Sequence, residues 1–397
     1  MANEPFVMPT YARFPVTLVR GAGALVWDEE GTEYLDFTGG LGALILGHAH
    51  PAWVAALADA AGSIGLVSNL YATTPQAELA ERLAGVLPIP DARVFFCNSG
   101  AEANEGLLKL VRKWGLQRGK TKIVTLNGSF HGRTVGALAA TGQPAKRAAF
   151  EPLVDWFRFV EPEDLDGLAA ALGPGDVAAV LVEPVMGEGG VYPLSEEYLR
   201  GVRSLCDAND ALFAVDEVQS GMGRCGAWLA VSAAGVIPDV VSLAKALGGG
   251  FPIGALVSRA DIAFEPGDHA STFGGGPLAA SVALAVIDVV EREGLLDRAG
   301  EIGAYLPGAV ASAVPDGAIV AARGRGCLWG FELVAGIDAG DVADRMIREG
   351  VLSSTAGPGV IRMSPPLIAS TAECDRAAAA FGTAVAACMA VAQEVPA

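Results

Sequence analysis

The sequence is poor in the residues that build metal and redox sites. Its six cysteines are scattered, and no two of them stand at the two-residue spacing of a zinc or dithiol motif. Only four histidines occur, so no metal site is expected. The cysteines instead fit free, mostly buried thiols in a reducing cytoplasm, which predicts a cytoplasmic protein. The motif Gly-x-x-x-x-Gly-Lys-Ser/Thr is also missing, which argues against a P-loop nucleotide-binding protein.

Signals for secretion and for membrane insertion are equally scarce. Residues Met1–Tyr11 contain Glu4 and two prolines instead of a basic stretch followed by an apolar core, so no secretion signal is predicted. The longest uncharged tract, Ala377–Ala392, is rich in alanine and shorter than the roughly 20 strongly apolar residues that span a bilayer, which predicts a packed C-terminal helix. A net charge of −18 repels phosphate backbones and anionic lipids. We therefore expect small metabolites as partners, and neither nucleic acid nor a membrane.

The composition that remains is that of a large folded protein. Hydrophobic residues make up 52% of the chain and charged residues 18%, enough for a sizeable interior and a subunit interface. Between about residues 93 and 295, short apolar runs alternate with helical stretches, the pattern of a parallel sheet with crossover helices. The predicted strands of this sheet are Arg93–Cys97, Lys122–Leu126, Ala178–Val182, Leu212–Val215, Val240–Leu243 and Ile253–Val257.

Both ends of the chain differ from this central region. We expect an α/β protein with a large domain, residues 66–296, and a smaller α+β domain built from residues 1–65 and 297–397. The predicted strands of the smaller domain are Val16–Val19, Ala24–Trp27, Glu33–Phe37, Gly330–Val334 and Val360–Met363, and the predicted helices of the chain include Glu102–Arg118, Pro277–Arg292 and Asp341–Arg348.

Lys245 and Asp216 carry the strongest chemical signal. Lys245 follows an apolar strand and is set among small apolar residues and glycines, where low polarity lowers the pKa of an amine and makes it nucleophilic. Asp216 ends the preceding strand, so its carboxylate is placed to pair with a pyridine nitrogen. A pyridoxal phosphate enzyme needs both groups: an amine that reaches the aldehyde, and a carboxylate that keeps the ring positively charged.

Two glycine-containing loops are candidates for the phosphate. The first, Asn98–Glu102, follows a predicted strand and opens a helix, so its backbone N–H groups suit an anion. An ordinary helix cap would have the same sequence. The second, Ser271–Pro277, bears hydroxyls that fit either a phosphate or a flexible start to a helix.

Other candidate groups follow neighbouring strands. Phe130 is able to stack on a flat ring or to lie in the core, and Arg133 nearby is suited to a carboxylate. Glu183 and Glu188 end the third strand without an accompanying histidine, which disfavours a metal site. Arg362 lies in an apolar strand and should meet an anion, either a substrate or a structural carboxylate. His48 and His50 are expected to form structural hydrogen bonds.

Taken in order, these segments resemble the class III, or omega-amino-acid, aminotransferases of the fold-type I pyridoxal phosphate transferases. The likeness runs over nearly the whole chain, from Thr10–Pro15 to Arg362, and is densest over Val215–Arg224 and Lys245–Gly254. Within the class it is closest to the bacterial acetylornithine aminotransferases, because of Tyr-x-Arg-x-Pro near the N-terminus and Phe-His-Gly-Arg-Thr at Phe130–Thr134. The resemblance implies a large domain with a mainly parallel seven-stranded sheet, and a homodimer with shared active sites.

The resemblance also implies roles for individual residues. Lys245 would form the internal aldimine and move a proton between substrate and cofactor. Asp216 would pair with the ring nitrogen, and Gln219 would hydrogen-bond the ring hydroxyl. The remaining cofactor contacts would be Ser99, Gly100 and Ala101 at the phosphate, Thr272 from the neighbouring subunit, Phe130 on the ring, and Glu183 and Val218 beside it.

Substrate binding would fall to two arginines. Arg133 and Arg362 would bind carboxylates, and Glu188 would pair with Arg362 until 2-oxoglutarate arrives. The implied reaction is transfer of the terminal amino group of N-acetylornithine to 2-oxoglutarate. Ornithine, succinylornithine and 4-aminobutyrate are alternative donors, and an aminomutase that needs no keto acid is a further alternative. Gly276 and Met186 depart from the usual asparagine and glutamine, which leaves the donor open.

Overall fold

Seventeen strands and twelve helices form within residues 6–394, the part of the chain that the computed structural model describes. Of Met1–Tyr11, the first five residues lie outside that part. The strands are β1 Leu18–Ala22, β2 Leu25–Asp28, β3 Glu33–Asp36, β4 Arg93–Cys97, β5 Lys122–Leu126, β6 Phe157–Val160, β7 Val177–Val182, β8 Val185–Met186, β9 Tyr192–Pro193, β10 Leu212–Asp216, β11 Val240–Leu243, β12 Gly254–Ser258, β13 Ile319–Arg325, β14 Leu328–Leu333, β15 Val351–Leu352, β16 Ser354–Thr355 and β17 Val360–Met363.

The helices lie between and around these strands. They are α1 Gly39–Gly42, α2 Pro51–Ala61, α3 Thr74–Val86, α4 Gly100–Leu116, α5 Val135–Ala140, α6 Pro144–Arg147, α7 Leu165–Leu172, α8 Glu196–Ala208, α9 Pro277–Arg292, α10 Leu295–Ala313, α11 Ala339–Arg348 and α12 Thr371–Glu394.

The central sheet has seven strands in the order β4-β12-β11-β10-β7-β5-β6. The pairs β11/β10, β10/β7, β7/β5 and β5/β6 are parallel, and β12 is antiparallel to both of its neighbours. All six residues of β7 are buried, as expected for a strand covered by helices on both faces. The fold class predicted from the sequence is confirmed.

Two four-stranded sheets complete the fold. One joins β1, β2 and β3 from the N-terminal part to β15 from the C-terminal part, and the other contains β13, β14, β17 and β16. Because β15 pairs in parallel with β3, the two ends of the chain share one sheet. The division into domains 1–65, 66–296 and 297–397 stays a prediction.

Helix α12 is the one described helix that is long and apolar enough to cross a membrane, counting length and composition alone over Thr371–Val391. Phe381 and Val385 on this helix are fully buried, and α12 packs against α10 and α11. It therefore serves as a core helix of the folded chain.

Candidate active site

The carboxyl ends of the central strands surround one cavity of about 430 Å³. This position is expected, because ligands of open α/β sheets gather at that edge. Most of the residues predicted for the site line it: Ser99, Gly100, Ala101, Phe130, Arg133, Glu183, Glu188, Asp216, Val218, Gln219 and Lys245.

Lys245 stands just past the end of β11 in an unusual backbone conformation. Its φ of +42° lies in the left-handed region, which residues other than glycine adopt at a cost of about 1 kcal/mol or more. Burial, followed by the positive charge of Arg362, lowers the pKa of Lys245 to about 8. Roughly a tenth of this amine is therefore uncharged at pH 7, far more than for a lysine of ordinary pKa, which favours its use as a nucleophile or a base.

Asp216, the last residue of β10, is held in a buried polar network. Its Oδ2 accepts hydrogen bonds from Asn104 Nδ2 at 2.7 Å and from His131 Nδ1 at 2.8 Å, and its Oδ1 accepts one from Val218 N at 3.0 Å. Burial opposes charge on His131, but the hydrogen bond and charge of Asp216 raise the pKa of this imidazole above its ordinary value. The network fixes the carboxylate toward the cavity.

The network continues away from the cavity. Asn104 Oδ1 accepts a hydrogen bond from Ser242 Oγ at 2.6 Å, and Thr125 Oγ1 lies 3.2 Å from His131 Nε2. Neither Asn104 nor Ser242 was a predicted site residue. Asn104 sits inside α4 and no sequence motif marks it, because it meets Asp216 only after the helix packs on the sheet.

The first turn of α4 lies at the cavity wall. Ser99 caps the helix and accepts a hydrogen bond from Glu102 N at 3.2 Å, while the N–H groups of Gly100 and Ala101 have no partner inside the helix. A Cβ on Gly100 would stand 2.6 Å from Val218 Cγ1, so only glycine allows this approach. The turn is a ready anion site, aided by the helix dipole.

Glu183 and Phe130 line the same cavity and are joined by a hydrogen bond. The Oε2 atom of Glu183 accepts a hydrogen bond from Phe130 N at 2.7 Å, which ties the loop carrying the aromatic ring to the end of β7. Burial, opposed by the charge of His131, raises the pKa of Glu183 to about 7.

Arg362 is paired with a carboxylate, as expected for an arginine in an apolar strand. Its Nη1 lies 2.5 Å from Glu188 Oε1 and also donates to Gly187 O at 3.1 Å, and its Nε donates to Ser354 Oγ at 3.1 Å. Arg362 is 2% exposed and is not among the lining residues, whereas Glu188 lines the cavity. Although burial opposes it, the Arg362 charge holds the pKa of Glu188 below its ordinary value.

Lys146 was not predicted, yet it belongs to the same group of charges. Its Nζ lies 3.7 Å from Glu188 Oε2 and 4.6 Å from the centre of the Phe130 ring. The guanidinium of Arg133 lies 5.6 Å from that ring as well. No signal in the sequence singles out Lys146, because it stands on the four-residue helix α6 without any motif.

Thr272 lies apart from the other predicted residues. It lines a second depression of about 1000 Å³ together with Ser68, Asn69 and Leu70. Of the two histidines expected to be structural, His48 Nε2 lies 2.8 Å from Asp36 Oδ2, while His50 Nδ1 has no hydrogen-bond partner among residues 6–394. Within those residues no group of three or more histidine, cysteine or acidic side chains could hold a metal ion.

A family model described as aminotransferase class-III matches residues 6–385. The chain belongs to the class-III aminotransferase family. Members of this family depend on pyridoxal phosphate. The cavity suits that coenzyme in the chemistry of its groups: an amine of lowered pKa, a buried carboxylate and a helix N-terminus with free N–H groups.

Individual relatives span nearly the whole chain. An acetylornithine aminotransferase from a Nostoc species is 46% identical over 95% of this chain and 92% of its own length. One from Methanopyrus kandleri is 45% identical over 96% of this chain and 97% of its own.

Solved structures agree on the fold. The ornithine aminotransferase of Toxoplasma gondii superposes with a TM-score of 0.92 at 34% identity, covering 98% of this chain and 94% of its own. The N-acetylornithine aminotransferase of Stenotrophomonas maltophilia gives a TM-score of 0.84 at 38% identity, covering 96% and 98%.

Proposed function

We propose that this aminotransferase moves the terminal amino group of N-acetylornithine to 2-oxoglutarate in two alternating half-reactions. The products are N-acetylglutamate 5-semialdehyde and glutamate. The observation that carries this proposal is the cavity lined by Lys245, Asp216 and Glu188, in which Glu188 is paired with the buried Arg362. The relatives from Nostoc and Methanopyrus, which are named acetylornithine aminotransferases, support the choice of donor, and we assign the reaction to arginine biosynthesis.

The residues around Lys245 account for proton transfer. When bound, pyridoxal phosphate supplies an electron sink for the bond that breaks at the substrate carbon. Lys245 would hold the coenzyme and, once released from it, carry a proton on Nζ, a task for which a pKa of about 8 is suited. Asp216 would pair with the ring nitrogen, and His131 with Asn104 keeps its carboxylate oriented.

The cavity walls position the flat ring and its phosphate. We assign Ser99, Gly100 and Ala101 to the phosphate, because α4 directs its free N–H groups and positive end there. Phe130 and Val218 would enclose the ring and Gln219 would hydrogen-bond its hydroxyl, while Glu183 holds the Phe130 loop in place.

The two arginines explain how one site takes both substrates. Arg133 binds the carboxylate of either substrate at the cavity wall. While N-acetylornithine reacts, Glu188 neutralises Arg362 and leaves room for an uncharged chain. When 2-oxoglutarate arrives, Glu188 withdraws and Arg362 binds the α-carboxylate through its two-pronged guanidinium.

We further propose a cytoplasmic homodimer in which Thr272 completes the phosphate site of the partner. Thr272 lies outside the Lys245 cavity of its own chain, in a depression beside strongly exposed apolar side chains. Leu70 is 88% exposed, Tyr71 70% and Phe273 61%. Such a patch on a folded chain favours a subunit interface.

Ornithine is the second candidate donor, because the Toxoplasma gondii ornithine aminotransferase has a closely similar fold. The two donors differ by the acetyl group on the α-nitrogen, so a cavity selective for one will discriminate in kcat/KM. An aminomutase fits less well. It does not bind 2-oxoglutarate, so it needs no arginine that Glu188 pairs with and then releases for a substrate carboxylate.

The test is a panel of amines offered to the purified enzyme with 2-oxoglutarate. We expect the highest kcat/KM for N-acetylornithine, with succinylornithine, ornithine and 4-aminobutyrate below it. A clear preference for unacylated donors would rule out acetylornithine. Activity without any keto acid would support the aminomutase.

A further inference from the structure

Glu188 has two cationic neighbours, one at each of its carboxylate oxygens. Oε1 lies 2.5 Å from Arg362 Nη1, and Oε2 lies 3.7 Å from Lys146 Nζ. The first contact is a tight ion pair, whereas the second is longer than a hydrogen bond. The side chains of Glu188 and Lys146 are each 24% exposed, so water screens them only in part.

The proposed exchange of substrates creates a problem for Glu188. Its carboxylate must leave Arg362 when 2-oxoglutarate binds. A partly buried carboxylate without a counter-ion is unfavourable, because neither water nor a cation then compensates its charge in full. That cost would appear as weaker binding of the keto acid. A second cation on the far side of Glu188 removes the difficulty.

We propose that Lys146 is a positioning residue that receives the Glu188 carboxylate whenever Arg362 binds the α-carboxylate of 2-oxoglutarate. This inference rests on the proposed function. It makes the switch a transfer of one carboxylate between two cations, Arg362 and Lys146, with no state in which Glu188 is unpaired.

The surroundings of Lys146 fit this task. The ammonium group of Lys146 lies 4.6 Å from the centre of the Phe130 ring. This cation–π contact leaves its positive charge available to a carboxylate. Burial and then the nearby charge of Arg133 lower the pKa of Lys146, although Glu188 partly offsets both. An ammonium ion in such a place is stabilised when a carboxylate approaches.

Direct binding of substrate by Lys146 is the competing explanation. Lys146 is not among the residues that line the Lys245 cavity, whereas Glu188 and Arg133 are. Arg362 does not line it either, so a double variant distinguishes direct from indirect action. If Lys146 acts through Glu188, Lys146→Met should leave glutarate binding unchanged in a Glu188→Gln background, whereas weaker binding there would show direct contact.

The experiment compares Lys146→Met with Arg147→Met. Arg147 is the next residue of α6, and its ion pair is with Glu151 at 3.9 Å, so its loss removes the same charge from the same helix without touching Glu188. For each holoenzyme, calorimetry gives the dissociation constant of glutarate, an unreactive dicarboxylate. Stopped-flow absorbance gives the rate constant and saturation of the half-reaction with N-acetylornithine.

We expect Lys146→Met to raise the dissociation constant of glutarate about fivefold, as the loss of a partly exposed ion pair predicts. The rate constant of the half-reaction with N-acetylornithine should stay within about twofold of the wild type. Lys146→Arg should restore glutarate binding, and Arg147→Met should change neither measurement. Unaltered glutarate binding in Lys146→Met, or equal weakening toward both ligands, would overturn the inference. If the wild type fails to react with N-acetylornithine, the proposed donor is wrong, and the glutarate comparison still decides the role of Lys146.

Discussion

Arg362 is the residue whose removal should separate the two substrates. In Arg362→Ala we expect KM for 2-oxoglutarate to rise about 100-fold, because a two-pronged, charge-assisted contact is lost, while KM for the amino donor changes far less. Arg362→Lys keeps the charge but not the paired geometry and should lie between the two. The measurement is the steady-state KM of each substrate.

A control for this variant is available on the surface. Arg376 pairs with Glu33 at 3.0 Å, and both side chains are well exposed. Arg376→Ala should therefore leave both KM values unchanged. Equal losses for donor and acceptor in Arg362→Ala would mean that Arg362 supports the cavity as a whole.

Glu217 is a buried carboxyl group with a consequence for stability. Burial, only partly offset by the hydrogen bonds from Ser220 and Val231, raises its pKa to about 7. The folded state therefore holds a proton that the unfolded state releases near its ordinary pKa of 4.5. As pH rises from that ordinary value to about 7, the free energy of unfolding falls, by up to about 3 kcal/mol from this group.

Glu217→Gln tests this directly. The amide keeps the shape but does not ionise, so the fall in the thermal unfolding midpoint between about pH 5 and about pH 8 should become shallower than in the wild type. Glu183 contributes in both proteins and cancels in the comparison. A variant with the wild-type pH profile would show that Glu217 does not titrate in this range.

At the scale of single elements, the N-terminus of α4 has two roles. Ser99 caps the helix, and the first turn lines the cavity. Ser99→Ala removes the capping hydroxyl and should lower the free energy of unfolding by about 1 kcal/mol. It should also weaken the binding of the coenzyme, because the first turn of α4 lines the cavity. The dissociation constant of pyridoxal phosphate, measured by fluorescence titration of the apoenzyme, checks this expectation.

Ser195→Ala is the matched control, since Ser195 caps α8 in the same way and accepts a hydrogen bond from Tyr198 N at 3.0 Å. It should cost similar stability and leave coenzyme affinity unchanged. If Ser99→Ala and Ser195→Ala affect the coenzyme equally, the α4 terminus is only structural.

The elements were also where sequence reasoning worked best. The strand β11 and the helix α9 begin and end where predicted, because an apolar run and a proline at the first helical position mark their limits. Helix α4 begins two residues before the predicted Glu102, since its capping residue is Ser99. The strand β6 was not among the six strands named from the sequence, although a seven-stranded sheet was expected.

The side chains that support the site were harder to predict. Motifs placed Lys245 and Asp216 at the cavity because strand ends converge in a parallel sheet. Asn104 and Lys146 reach Asp216 and Glu188 from distant parts of the sequence, so only the packed fold reveals them.

At the scale of the whole molecule, the exposed apolar patch around Leu70 predicts assembly. Leu70→Glu should shift the protein toward monomer in sedimentation velocity and reduce activity in parallel, because Thr272 then serves no partner. Val320, 59% exposed on β13, gives the control: Val320→Glu should change neither. A monomeric Leu70→Glu protein with full activity would contradict shared active sites.

Attachment of the coenzyme to Lys245 is the most direct test of the proposed activity. Reduction of the holoenzyme with borohydride, followed by peptide mapping by mass spectrometry, should find the pyridoxyl phosphate adduct on the peptide that contains Lys245. In Lys245→Ala the adduct and the turnover should both disappear. An unmodified Lys245 peptide in the wild type, or an adduct on a different lysine, would show that Lys245 does not hold the coenzyme.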